Sequence, residues 1–416
     1  MTLANDETFH PQPCLVAIEP VSGFIVAEQY SPHRDTASWK TVMDKGLLGL
    51  PVVVHQVTSD EAQALVRYVE VELGVHRSPD VFHVQYQVSR GTSAPLAAQR
   101  RHAQAAQDQA SLNLQQVLQQ QDQAQAQPAG PGRPIDWEGR RESAQLALQQ
   151  AQQQAASAAA NQEAMGEVIR SIGTSYHPFD LGTGVVRTAA EARTELGVWF
   201  DKARAVAKKA DLPQRCLERI EKAARVVPKM VATIAFFHAL VGQWVGALAL
   251  PQQASALLLK VIIPMLYLKR AAQVAKDAAT RQALNQVVSQ LETALRAPPP
   301  AWLSLPDAVR QQAWALAQPC ADLFQRSSSC VEGRNGVLAL RHHHLHQISV
   351  GRLEALTVVH NYMIRRPDGT TAAHRFFGAP PGDLFATLCQ RIPLPSRPRK
   401  GKRAKARAAA VGVPAA

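Results

Sequence analysis

The sequence predicts an α/β core of strands and helices, interrupted by a large all-α insertion, in a chain that is mostly helical overall. Three observations carry this. Residues 1–95 alternate short apolar runs with helical spacing. Residues 96–325 read as one helical pattern after another, rich in Ala and Gln. Residues 326–392 then return to short elements, and a basic tail, 393–416, closes the chain.

In the first segment, Leu3 to Phe9 reads as a short opening strand. Cys14 to Ile18 and Phe24 to Glu28 are apolar runs joined by the turn Pro20-Val-Ser-Gly23, which predicts a hairpin. Ala37 to Leu48 has helical spacing, and Pro51 to Val57 reads as a buried strand. Ser59-Asp60 marks the start of an amphipathic helix over Glu61 to Leu73. Val81 to Val84 reads as a short strand.

The insertion divides in two. Residues 97–170 predict a long antiparallel helical hairpin broken at Pro128-Ala-Gly-Pro-Gly-Arg-Pro134, with Leu112, Leu114, Val117, Leu118, Leu146 and Leu148 as its apolar seam. A Gln-rich disordered linker is the alternative. Residues 189–325 predict a helical bundle. Ala232 to Leu250 carries no formal charge, and Ala254 to Leu268 carries only Lys260. Length alone lets such stretches span a membrane, but His238, Gln243 and Pro264 interrupt them, so core helices are expected.

The 416 residues carry a net charge of +12 and a pI near 9.7, which fits a polyanionic partner, nucleic acid first. Seven Lys or Arg fall between Arg397 and Arg407. That run reads as a nucleic-acid contact or a solubility tail. The five cysteines form no CxxC pair, which argues against a zinc site or disulfide framework, and the N-terminus lacks a signal-peptide pattern. A cytoplasmic protein is expected.

Three carboxylates stand out. Asp6 lies on or at the end of the first strand, Asp60 ends the strand before a helix, and Glu332 opens a helix in Cys330-Val-Glu-Gly-Arg-Asn335. The interval from Asp6 to Asp60 leaves room for a hairpin, a helix and a further strand. The interval from Asp60 to Glu332 is too long for a bare core, and the helical block fills it. Singly, each acid has an ordinary reading: a solvated Asp, a helix N-cap and a surface Glu.

Together, in this order, these residues resemble the catalytic set of DDE-type insertion-sequence transposases, relatives of the retroviral integrases. The hairpin over Leu15 to Gly23 and beyond, the run Ser78-Pro-Asp-Val-Phe-His83 and the stretch Val331 to Asn335 are similar to elements of that family. The stretch Arg334-Asn-Gly-Val-Leu-Ala-Leu-Arg-His-His343, with Phe376-Phe-Gly378, resembles an uncharacterised transposase-related group. The resemblance implies an RNase H-like core with a mixed five-stranded sheet, split between residues 1–95 and 326–392 by the insertion. It implies that Asp6, Asp60 and Glu332 are both catalytic residues and ligands of two Mg²⁺ ions, with Mn²⁺ as the substitute. The activity implied is DNA strand cleavage and transfer by in-line attack on phosphodiesters, which needs hard-cation chemistry rather than a covalent nucleophile.

Around the triad, His83 either orients a carboxylate, contacts phosphate or is a satisfied core histidine. Asn335, one turn after Glu332, supports that residue or touches DNA. Arg334 and Arg341 are candidate phosphate ligands, as are Arg397, Arg399, Lys400, Lys402 and Arg403 of the tail. His342, His343, His344 and His346 read as a polar DNA-facing surface rather than a metal site. The expected partner is DNA, with a homodimer as the candidate assembly and no membrane. Only five residues precede Asp6, where the family usually carries a DNA-recognition segment, so an N-terminally truncated copy is expected. The alternatives are a catalytically inactive DNA-binding remnant and a helical membrane-associated or scaffolding protein.

Overall fold

The computed structural model describes residues 1–9, 12–126, 134–345 and 348–392. The tail residues Arg397, Arg399, Lys400, Lys402 and Arg403, and His346, lie outside the described residues. The chain is mostly helical around one mixed sheet of five strands.

Strands β1 (Thr2–Phe9), β2 (Pro13–Glu19) and β3 (Phe24–Tyr30) form an antiparallel meander. Gly23, at φ +75°, supplies the left-handed residue its second turn needs. Helix α1 (Thr36–Leu47) starts on Asp35, whose carboxylate accepts from the Ser38 amide. Strand β4 (Gln56–Ser59) follows, then α2 (Gln63–Arg67), which runs on through a π-helical turn, Tyr68–Glu72. Strand β5 (His76–Pro79) completes the sheet in the order β3-β2-β1-β4-β5, with β4 parallel to β1 and β5 parallel to β4.

Alternation along β1 sorts its residues between two faces. Leu3 packs with Trp39, Met43, Leu65 and Tyr68 under α1 and α2. Ala4 packs on the other side, with Val16, Ile18 and Ile25, against Val331, Leu338, Ile348 and Leu353. Those four come from the far end of the sequence, from α13 (Ser329–Leu345), α14 (Val350–Tyr362) and the connection between them. One face is thus covered by local helices and the other by the returning C-terminal elements.

Between these two halves lies the helical body. Helix α3 (Val81–Gln125) and α4 (Trp137–Ser175) form the long hairpin. They are followed by α5 (Ala189–Lys209), α6 (Gln214–Ala224), α7 (Val227–Gly246) and α8 (Gln252–Leu257). A π-helical turn, Leu258–Ile262, joins α8 to α9 (Ile263–Val274). Then come α10 (Ala278–Leu295), α11 (Pro300–Leu303) and α12 (Asp307–Leu323), whose buried residues join one large apolar cluster with the start of α3. After α14, α15 (Ala372–Phe377) packs on β3 and α16 (Leu384–Arg391) ends the described chain.

Several expectations change. Val81 to Val84 is the first turn of α3, not a strand, because Asp80 caps it by accepting from the Phe82 amide at 2.7 Å. The boundary expected between residues 95 and 96 falls inside that helix. In the hairpin, Ala144, Ala151 and Ala155 are buried while Leu112, Leu118 and Leu146 are exposed, so alanine, not leucine, makes much of the seam. Close helix approach favours the small side chain there. Gln214–Gly246, spanning α6 and α7, is the one stretch among the described residues long and apolar enough to cross a membrane. Its Met230, Ile234, Phe237, Val241 and Val245 are nevertheless buried within the helical cluster.

The far-end helices are tied to the sheet by polar bonds. Arg334 of α13 makes a two-pronged pair with Glu28 of β3, at 2.8 Å and 2.6 Å, and the Glu28 side chain is fully buried. Thr357 of α14 donates to the same carboxylate at 2.5 Å. Asn361 bonds both backbone groups of Ile25, at 2.9 Å and 3.0 Å, and so occupies part of the exposed edge of β3.

Removing one partner of a buried pair strands the other charge. Arg334→Met should therefore lower stability in urea unfolding by about 3–5 kcal/mol. The double variant Glu28→Met/Arg334→Met should recover most of that loss. A single variant as stable as wild type would show that the pair does not hold α13 to the sheet.

Candidate metal centre

Asp6 and Asp60 meet because of strand register. In the parallel pairing of β1 and β4, Thr2 lies opposite Gln56, Leu3 opposite Val57 and Ala4 opposite Thr58. The same register, carried on by two residues, places Asp6 level with Asp60, just beyond the end of β4. Both have the parity of Ala4 and Thr58, the face covered by α13. Asp60 is held by its surroundings: its Oδ1 accepts from the Ala62 amide at 3.0 Å, and Arg77 of β5 donates to its carbonyl at 3.1 Å. Arg77 is buried and also pairs with Glu61 and Glu70.

His83 and Glu332 are brought to the same place by a polar seam. Asp80, buried at the end of β5, accepts from the Ser328 amide at 3.0 Å and from the Ser328 hydroxyl. It also caps α3. Its own amide donates to the Ser59 carbonyl at 3.0 Å, and the Val81 amide donates to the Arg326 carbonyl at 2.9 Å. One residue earlier, the Gln325 carbonyl accepts from Gln56, Thr58 and Ser78 at 2.8, 3.2 and 3.2 Å. The first turn of α3, carrying His83, is thereby fixed beside the first turn of α13, carrying Glu332. A carboxylate at Glu332 also suits the positive end of the helix dipole.

Among the described residues, one group of three has metal-ligand geometry. One donor atom each from Asp6, His83 and Glu332 lies within 4.8 Å of the other two. Asp6 is buried, His83 half-buried and Glu332 exposed, so the group opens from the sheet towards solvent. The Asp6 Oδ1 accepts from the Glu7 amide at 2.7 Å. Burial drives the Asp6 carboxyl up to about 8; the Glu7 amide opposes this, while Asp60 and Glu332 add to it by repulsion, and Glu332 by a hydrogen bond. Acids gathered this way need either a shared proton or a cation.

The donor set fits a divalent cation. It offers carboxylate oxygens, and the His83 Nε2 is buried with no hydrogen-bond partner. That orphan atom removes the reading of His83 as a satisfied core histidine.

The other expected residues divide. Arg334 is spent on Glu28 and supports α13, so its expected phosphate contact is replaced by a structural pair. Asn335 is half-buried, with its Oδ1 enclosed and unpartnered one turn after Glu332. Arg341 and His343 are exposed on α13. His342 is instead buried, 2.8 Å from the Tyr30 hydroxyl, so it leaves the DNA-facing surface expected of the histidine run. Asp80 and Ser328 are anchors that sequence reasoning does not single out. For Asp80 a signal exists, an Asp directly before an apolar helical start.

The profile of a family of unknown function, DUF6399, matches residues 258–404, less than half of the chain. That span contains Glu332 but not Asp6, Asp60 or His83. No curated protein and no solved structure matches the chain.

A carboxyl raised in the fold stabilises the protein below its unfolded value near 3.8, and that contribution is lost as pH rises to about 8. In metal-free buffer, stability should therefore fall across this window. Asp6→Asn should flatten the fall and raise stability at pH 8 by on the order of 1–4 kcal/mol, since one pKa step is about 1.4 kcal/mol. Chemical unfolding at pH 5 and pH 8 reads both effects. Parallel pH profiles for the two proteins would remove the burial and repulsion assigned to the charged Asp6 carboxylate.

Proposed function

We propose that the chain is a DDE-type transposase, or a protein derived from one, that cleaves and transfers DNA strands by in-line attack on phosphodiesters. The observation that carries this is convergence. Asp6, from the first strand, and Glu332, from beyond the helical body, come together with His83, and Asp60, at the end of the neighbouring parallel strand, stands close enough to repel the buried Asp6 carboxyl without joining that group. They do so on a sheet ordered β3-β2-β1-β4-β5. That order and its mixed pairing support an RNase H-like core, with the helical body as its insertion.

Two Mg²⁺ ions, for which Mn²⁺ substitutes, would be held by Asp6, Asp60 and Glu332 and would supply charge neutralisation and oxygen activation at the phosphorus. Asp6 is the ligand buried deepest, on a rigid strand that fixes its position. Glu332 forms the solvent-facing side, where a phosphodiester enters. In the first step a water oxygen bonds to phosphorus, the 3′ oxygen departs and a proton passes to it. The resulting 3′-hydroxyl attacks a phosphodiester of target DNA, and the bond to its leaving oxygen breaks in turn. Arg341 and the basic tail provide phosphate contacts without reading bases. The proposed setting is the cytoplasm, with DNA as partner.

The test is nicking of supercoiled plasmid in Mg²⁺ or Mn²⁺. Wild type should nick, and Asp60→Asn and Glu332→Gln should each lower the rate by about a hundredfold or more. Salt-dependent DNA binding with identical background nicking in all three proteins would sink catalysis and leave a DNA-binding remnant. High-salt-resistant membrane pelleting would sink both.

A further inference from the structure

We propose that His83 is itself a metal ligand, and that its imidazole makes this a mixed nitrogen–oxygen site selective for a divalent transition ion of the Mn²⁺ class over Mg²⁺. The inference rests on the metal-centre reading above and adds a ligand to it.

Three observations converge on His83. The first is distance. Donor atoms that share an ion at about 2.0–2.2 Å lie at most twice that distance apart, about 4.4 Å. The atoms of Asp6, His83 and Glu332 fall within 4.8 Å, a small side-chain adjustment from that limit. The second is the orphan nitrogen. A buried polar atom without a partner is costly, and the His83 Nε2 is such an atom, on a ring of which one nitrogen lies within 4.8 Å of both carboxylates. Had His83 served to orient a carboxylate, this nitrogen would bond a carboxyl oxygen, and it has no such bond. The third is rigidity. Asp80 caps the turn that carries His83 and also holds Ser328 ahead of Glu332, so the imidazole and the carboxylate are set by one residue.

The chemistry then decides the ion. Mg²⁺ is hard, prefers oxygen and keeps its waters. Imidazole nitrogen suits the first-row transition ions, and carboxylates serve them as well. A ligand set of two carboxylates and one imidazole therefore favours Mn²⁺ over Mg²⁺, although both occupy an all-oxygen set. The ligating form needs one ring nitrogen with its lone pair free, with the ring proton on the other.

The experiment uses the full chain, stripped of metal and titrated with MnCl₂. Free Mn²⁺ is followed by electron paramagnetic resonance, and bound Mn²⁺ by electron spin-echo modulation, which detects a directly bonded ¹⁴N. Wild type should bind Mn²⁺ with ¹⁴N modulation, and Mg²⁺ should displace it poorly. His83→Ala and His83→Asn should lose the modulation and bind Mn²⁺ about tenfold more weakly. Mg²⁺ affinity should stay nearly constant, and matching thermal melts verify that the variants are folded. Mn²⁺ binding that is lost in Asp6→Asn but shows no ¹⁴N modulation would overturn the role of His83 and leave the carboxylate centre standing. Modulation that persists in both His83 variants would do the same. Failure of wild type to bind Mn²⁺ would overturn both.

Discussion

A single buried carboxylate, that of Asp80, holds the two ends of this chain together. It accepts from the start of α3 and from Ser328, far downstream and immediately ahead of α13. Around it, backbone bonds link Asp80 to Ser59 and Val81 to Arg326. The sheet edge, the helical body and the returning C-terminal helices all meet at this point. Charge-assisted bonds in a dry setting are stronger than neutral ones, and an unmet partner there is costly. The helical body can therefore leave the sheet after β5 and return to it at Gln325 without loosening either side.

What this junction assembles is electrostatically unfavourable by itself. Asp6 is buried on a central strand, with Asp60 and Glu332 close enough to repel it. Nearby, the same fold pairs Glu28 with Arg334 away from solvent. The contrast separates two uses of a buried carboxylate. One is neutralised by a side chain of the protein and serves to position α13. The other makes no ion pair among the described residues, and a proton or a bound cation relieves it.

The acidic residues are legible in the sequence because strand parity and spacing are local properties. The hairpin, the interval between Asp6 and Asp60 and the Glu at a helix start can each be read without knowing the packing. Other features cannot. Strand β5, His76–Pro79, is polar and short, and its burial comes from neighbours distant in sequence. Val81 to Val84 has two β-branched residues and a Phe, a strand pattern by composition, and the Asp80 cap directly before it starts a helix instead. Arg334 reads as a phosphate ligand because its true partner, Glu28, lies on the far side of the helical body in sequence. The alanine seam of the long hairpin escapes because hydrophobic periodicity weights leucine, whereas close approach rewards a methyl group. His83 is visible in sequence, but its unpaired nitrogen is a property of the folded surroundings.

Helix α3 has a mechanical consequence. Its 45 residues make a rod of about 68 Å. The residues it buries lie between Val81 and Leu96, and none beyond them is buried. Pro95 lies at that transition, and without its amide the carbonyl of Gly91 loses its helical partner. The weakest rung of the rod thus coincides with the place where its fully buried residues end and only the pairing with α4 continues. A sideways load on the distal arm is absorbed there as bending, and the clamped turn bearing the imidazole is spared the torque.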